Sequence, residues 1–183
     1  DTGHLSIPLD VRDVNAINQA KEAIISNWGK IDTVIFAAGI YKAMRAFEID
    51  LEEAKRIFEI NFLGALNMAS SVVPYFINQN KGKLVIISSV AGYRGLPNSL
   101  VYGASKAALT NFAETLYIDL EPRGIEVNLV SPGFVKTRLT DQNEFKMPAL
   151  ISAEKAVDEI IKGMKRDCFE IHFPKRFTLF MKL

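Results

Sequence analysis

The chain has 183 residues, of which 49% are hydrophobic and 23% charged, and its formal net charge is +1. Those values suit one globular domain with a sizeable core and leave no basic footprint for nucleic acid. One cysteine, Cys168, excludes an internal disulfide framework, and the lone His4 and His172 lack partners at ligand spacing, so no metal is expected. No apolar run approaches the roughly 20 residues that span a bilayer. The opening Asp1-Thr-Gly-His does not resemble a signal peptide, and a cytoplasmic location is expected.

In chain order, Leu5 to Leu9 reads as a first strand. A helix follows from Asp13 to Trp28, with Asp13 as its N-cap and Val14, Ile17, Ala20 and Ile24 at helical spacing. Thr33 to Ala37 reads as a strand, Glu52 to Asn78 as a long helix, and Lys83 to Ser88 as a strand whose β-branched run suits a sheet covered on both faces. Tyr102 to Leu120 is the next helix, Val127 to Val130 a strand, Ala153 to Met164 a helix, and Glu170 to Phe173 the last strand. Strands alternating with helices predict an α/β domain built on a parallel sheet, without repeats or linkers. Asp50, Glu52, Glu53, Asp119 and Glu121 read as helix-start and helix-surface charge, with no acid/base pair among them.

The chemistry centres on Val101-Tyr-Gly-Ala-Ser-Lys106, because residues four apart share a helix face and set a phenol beside an ammonium. A cation beside a phenol favours the phenolate, which suits a general acid or base. Chance alone supplies this spacing about 0.4 times in a chain of this composition, so its neighbours matter. Ser89, in Ile86-Ile-Ser-Ser-Val-Ala-Gly92, lies just past an apolar strand and thirteen residues before Tyr102. Ser131-Pro-Gly-Phe-Val-Lys-Thr137 follows the next strand, and Asn61 sits in Ile60-Asn-Phe-Leu-Gly64. Asp10-Val11, Ala38-Gly39, Ser89 and Pro132-Gly133 all fall just beyond strand C-termini, where open α/β sheets bind ligands.

The serine after a strand, then Tyr-x-x-x-Lys, then Pro-Gly after the next strand resembles the short-chain dehydrogenase/reductase family, over nearly the whole chain. That resemblance implies a Rossmann-like, doubly wound parallel sheet and an NAD(P)-dependent oxidoreductase acting on a ketone or secondary alcohol. Tyr102 would then be the general acid in reduction and the base in oxidation. Lys106 would lower its pKa and bond the nicotinamide ribose, Ser89 would hydrogen-bond the substrate oxygen, and Asn61 would hold a water linking Lys106 to solvent. For NAD(H) or NADP(H), Asp10 and Val11 would meet the adenine. Ala37, Ala38 and Gly39 would line the ribose, and Pro132, Gly133, Val135 and Thr137 would hold the nicotinamide amide. Alanine at Ala37 departs from the family's usual asparagine and weakens that residue's assignment.

The family's glycine-rich phosphate loop has no counterpart before Asp10-Val11, so the sequence resembles one that starts at the family's third strand. With strand order 3-2-1-4-5-6 the two missing strands would lie between Leu5–Leu9 and Thr33–Ala37, leaving a gap roughly 10 Å beyond normal spacing. A preceding segment is therefore expected in the natural protein, and the segment alone is expected to be inactive. The choice between NAD and NADP stays open. Two other functions stay open as well: a binding or scaffolding protein without turnover, and a sugar-nucleotide epimerase, which the short stretch after Lys106 disfavours.

Leu139 to Pro148 resembles a substrate lid. The resemblance also implies a homodimer or homotetramer formed through the helices at 52–78 and 102–120. The C-terminal run from Phe173 to Leu183 mixes basic and large apolar residues, which suits either packing on the sheet edge or contact with a membrane surface and a lipid-like substrate.

Overall fold

Four parallel strands form the sheet of the computed structural model, which describes residues 3–142, 146–166 and 168–183. The elements run α1 (Val14–Trp28), β1 (Thr33–Phe36), α2 (Leu51–Phe58), α3 (Gly64–Gln79), β2 (Gly82–Ile87), α4 (Leu100–Leu120), β3 (Ile125–Pro132), α5 (Ala153–Met164), β4 (Glu170–Phe173) and α6 (Lys175–Lys182). The strands pair in the order β1-β2-β3-β4, so each crossover carries helices, as parallel pairing requires. The register places Phe36 opposite Ile86, Ile86 opposite Leu129, and Val130 opposite Ile171.

Successive strand residues face opposite sides, which divides the core in two. Phe36, Leu84, Ile86, Val127 and Leu129 pack against Met68, Val72 and Phe76 of α3 and Leu109 and Ala113 of α4. Val85, Val130, Ile171 and Phe173 pack on the other side against Ala156, Ile160 and Met164 of α5 and its flank. Helices on both faces give the doubly wound α/β architecture, and the helix ends obey local chemistry. Asp13 caps α1 by accepting from Asn15 N at 2.9 Å and Ala16 N at 3.1 Å, and Asp50 caps α2 in the same way.

Three features differ from the sequence expectation. Leu5 to Leu9 is not a strand: it pairs with nothing, and Leu5 and Leu9 are exposed, because an extended segment without a hydrogen-bonded neighbour has no ladder to hold it. Among the described residues nothing pairs with the outer edge of β1, whose Ile35 is 51% exposed, so Leu5–Leu9 does not close the sheet onto Thr33–Phe36 and the edge where two further strands were expected stays open. The long helix is interrupted between α2 and α3 by a π-helical turn, Glu59–Leu63. Counted as one, Leu51–Gln79 is long and apolar enough to cross a bilayer, yet Ala65, Met68, Ala69, Val72 and Phe76 are buried on the protein core. Finally, Lys175–Lys182 forms a helix that no sequence signal announced.

Candidate active site

The expected catalytic residues converge at the C-terminal ends of β1 and β2. Asn61 lies in the π turn, fully buried, where the extra residue per turn rotates its side chain towards the strand end. Its Oδ1 accepts from Ile40 N at 2.8 Å, while Nδ2 donates to Ile40 O at 3.0 Å and to Ser105 Oγ at 3.0 Å. The amide thus ties the loop after β1 to α4. Lys106 is only 4% exposed, and its Nζ donates to Ile87 O at 2.9 Å, the last carbonyl of β2. A Cβ built on Gly39 would stand 3.5 Å from Asn61 Oδ1 and 3.6 Å from Lys106 Nζ. The two polar heads therefore face the same glycine from different helices.

Ser89 caps the short 3-10 turn Val90–Gly92 by accepting from Ala91 N at 3.2 Å, at the end of the strand that faces the Tyr102 helix. Ser88 turns to α4, donating to Lys106 O at 2.9 Å. One turn along α4 from Lys106, the Tyr102 ring has the ammonium 5.7 Å from its centroid. Burial pushes the Tyr102 phenol up to about 12, against a smaller downward pull from Ser89. Burial also lowers Lys106 to about 8. The phenol is thus raised where the sequence led us to expect Lys106 to lower it, because the ammonium is bonded to Ile87 O and desolvation dominates both groups.

Two tyrosines escaped the sequence reading. Tyr41 stands edge-on to Tyr102 with ring centroids 5.2 Å apart, and Tyr93 follows the Ser89 turn. Their separations in sequence from Tyr102 fit no motif, so only the fold reveals them.

The residues expected at a cofactor form two groups. Ala38, Gly39, Pro132, Gly133 and Val135 lie at the same strand ends as the catalytic cluster. Gly133 N donates to Phe173 O at 2.7 Å, and Val135 bridges to Ile151, which fixes the Pro-Gly turn. Thr137 caps the next turn, its N–H donating to Thr140 Oγ1 at 2.9 Å. Asp10 and Val11 lie farther along the sheet edge, at an open cleft of about 540 Å3 lined by Asp10, Arg12, Asp13, Glu59, Leu63 and Asn67. There Asp10 is paired with Arg12, Nη2 to Oδ2 at 2.7 Å, which holds its carboxyl at about 2. Val11 O accepts from Asn67 Nδ2 at 3.1 Å. The cleft includes none of Ser89, Tyr102 and Lys106. Part of the expected lid, residues 143–145, lies outside the described residues. Among the described residues no group of His, Cys, Asp and Glu could hold a metal.

A parallel α/β sheet with a serine, a tyrosine, a lysine and an asparagine gathered at its strand ends defines a Rossmann-like oxidoreductase scaffold. The chain belongs to the short chain dehydrogenase family, whose model matches residues 2–147. An uncharacterized oxidoreductase of Myxococcus xanthus is 37% identical over 92% of this chain and 66% of its own length. The 3-ketodihydrosphingosine reductase of Bacteroides thetaiotaomicron is 36% identical over 73% of this chain and 49% of its own. The chain therefore spans about half to two thirds of these relatives. A short chain dehydrogenase from Burkholderia cenocepacia in complex with NADP superposes with a TM-score of 0.80 at 26% identity, covering 91% of this chain and 67% of its own. One from Burkholderia phymatum in complex with NAD superposes at 0.88 and 21% identity, covering 98% and 74%, a likeness of fold.

Proposed function

We propose that this chain carries the catalytic half of an NAD(P)-dependent reductase that moves a hydride between a nicotinamide cofactor and a ketone or secondary alcohol. The observation that carries this reading is the convergence of Asn61 and Lys106 on Gly39, with the Lys106 ammonium 5.7 Å from the Tyr102 ring centroid.

The site fits a dinucleotide. Ala37 and Gly39 are exposed and bear nothing larger than a methyl group, so a ribose has an open ledge beside the Lys106 ammonium. Lys106 would hold that ribose, Ala38 and Gly39 would line it, and Pro132, Gly133, Val135 and Thr137 would meet the nicotinamide end. Asp10 and Val11 would meet the adenine. When bound, the cofactor supplies or accepts the hydride. In reduction Tyr102 gives its phenolic proton to the carbonyl oxygen, while Ser89 donates a hydrogen bond to that oxygen. The Lys106 ammonium then returns a proton to Tyr102 and is itself reprotonated from solvent through a water that Asn61 would hold. NADP and NAD both remain within this reading, as the solved relatives hold one or the other.

The substrate class we infer is a lipid-like ketone presented at an anionic membrane surface. The relative named for 3-ketodihydrosphingosine supports it, and so does the outer face of α6. That face carries Lys175 and Arg176 among Leu179, Phe180 and Leu183, with Phe180 72% and Leu183 90% exposed, a cationic and apolar mixture suited to acidic headgroups. Flotation with phosphatidylglycerol vesicles should carry the protein upward, neutral phosphatidylcholine vesicles much less, and K175E/R176E should not float. A parent that does not float would remove the membrane from the reading, and equal flotation of both proteins would remove the role of Lys175 and Arg176. A homo-oligomer formed through α3 and α4 and a cytoplasmic location belong to the same proposal.

The central test uses the protein expressed from its complete reading frame. NADH and NADPH are titrated by fluorescence, and oxidation of the reduced cofactor is followed with long-chain ketones. Tyr102→Phe should bind cofactor as the parent does and lose roughly 10²–10⁴ in kcat. Cofactor binding without turnover of any ketone would favour a binding protein. An unaffected Tyr102→Phe would remove the assigned mechanism.

A further inference from the structure

Helix α6 touches both loops on which the proposed reaction depends, by residues with no place in the family motif. The first loop is the turn after Ser89. Gly92 N donates to Ser89 O at 2.9 Å and Tyr93 N to Val90 O at 3.0 Å, so Tyr93 is tied to Ser89 by a single tight turn. The Tyr93 hydroxyl donates to Glu170 of β4, and the other oxygen of that carboxylate accepts from Lys182 of α6. The same ammonium lies 5.3 Å from the Tyr93 ring centroid. Lys182 thus grips Tyr93 both directly and through Glu170.

The second loop is the Pro-Gly turn. A Cβ on Gly133 would come within 2.9 Å of the Phe177 ring, and the Phe134 and Phe177 rings lie 5.8 Å apart. Between these two contacts, Thr178 of α6 is fully buried and its hydroxyl meets His172 Nδ1 at 2.6 Å, seating the helix on β4. Ser131, Glu170 and His172 share the strand face that α6 covers, as the register of Leu129 with Glu170 and Ser131 with His172 requires.

We propose that α6 is a splint that fixes the Ser89 turn and the Pro132–Gly133 turn relative to each other, with Tyr93 and Phe177 as its positioning residues. The electrostatics agree with an engaged network. Burial would raise the Glu170 carboxyl, but bonds from Lys182 and Tyr93 hold it below its ordinary range, while burial and the Glu170 bond drive the Tyr93 phenol far above its own. The bond is therefore made by a neutral phenol and an ionised carboxylate across the pH range of an assay, and a charge-assisted bond of that kind is strong. The functional part of the proposal rests on the reductase reading above.

The two contacts serve different loops, so their loss should show different kinetic signatures. Tyr93→Phe removes the hydroxyl alone. Ser89 then loosens, kcat falls roughly tenfold, and the KM for NAD(P)H stays within about twofold. Phe177→Ala should instead raise the KM for NAD(P)H roughly tenfold with a smaller change in kcat. Both variants are measured beside the parent in the protein expressed from its complete reading frame, with backbone hydrogen exchange run in parallel. Exchange should rise at 90–93 in Tyr93→Phe and at 133–136 in Phe177→Ala. If both variants merely lower Tm, with kinetics and local exchange at those loops unchanged, the splint is refuted. A parent that never turns over ketones refutes the reductase reading instead, and the exchange arm alone then decides the splint.

Discussion

Lys106 tests the energetics of the site, because its ammonium is buried against a single carbonyl, Ile87 O at 2.9 Å. Burial lowers it from 10.5 to about 8 in the folded chain. Below pH 8 both folded and unfolded chains carry the proton, and the folded one bears the full desolvation cost. Between pH 8 and 10.5 the unfolded chain binds more protons than the folded, so stability rises with pH in that window and not elsewhere. At about 1.4 kcal/mol per pH unit, and allowing for gradual titration near pH 8, the gain from pH 8 to 9.5 is about 1.5 kcal/mol. Lys106→Met keeps the length of the side chain and removes the charge. At pH 7 it trades a desolvated ammonium for an unpaired Ile87 carbonyl, a cost of about 1–3 kcal/mol, so its stability should match or slightly exceed the parent's. Urea unfolding of both proteins at pH 7, 8, 8.8 and 9.5 isolates the effect as a difference curve. The parent's midpoint should climb by about 0.5–1 M relative to the variant over the upper three values. Staying below pH 10 avoids Tyr102, whose raised phenol pulls the other way above its unfolded value. A flat difference curve would mean that the ammonium is solvated in solution and that the buried geometry is wrong.

Asn61→Ala should destabilise by about 2–3 kcal/mol, since it strips partners from Ile40 N, Ile40 O and Ser105 Oγ together, and thermal unfolding would show this as a lowered Tm. Gly82→Ala places a Cβ 2.2 Å from Phe76 Cγ at the start of β2, and overpacking there should lower stability by about 1–3 kcal/mol, measured by urea midpoint; no change would mean that Phe76 yields freely. Ile118, large, apolar and exposed on α4, should matter to self-association, so Ile118→Glu should shift the sedimentation profile towards monomer while leaving far-ultraviolet circular dichroism unchanged.

The parallel sheet was legible because its signals are local. The runs at Thr33, Lys83, Val127 and Glu170 each became a strand, and the helix caps at Asp13 and Asp50 stood where short acidic side chains stood in the sequence. Leu5–Leu9 misled for the opposite reason: its apolar pattern is strand-like, but a strand exists only with a neighbour, which periodicity cannot supply. The π turn at Asn61 leaves no mark in composition, since it changes the hydrogen-bond register without changing residue preference. Helix α6 hides behind Pro174, which reads as a strand terminator and in fact stands at a helix start. Of the site, Ser89, Tyr102 and Lys106 were recoverable from spacing, whereas Tyr41 and Tyr93 join them only through the tertiary fold.

The hydrogen bonds of the cluster explain why strand ends, rather than helices alone, set its shape. Asn61 is fixed by both backbone groups of Ile40, four residues past the end of β1, and Lys106 by Ile87 O, the last carbonyl of β2. Ile87 ends β2 and Ile40 lies in the loop leaving β1, and the two strands are in direct register, Phe36 with Ile86, so the asparagine and the lysine are anchored at adjacent strand ends. A helix shift along its own axis would change which side chain is presented, but each polar head is held at the far end by a rigid acceptor or donor. The buried ammonium is tolerated for the same reason. Its desolvation is offset in part by a carbonyl that cannot move away, which leaves the charge beside Gly39 instead of in solvent.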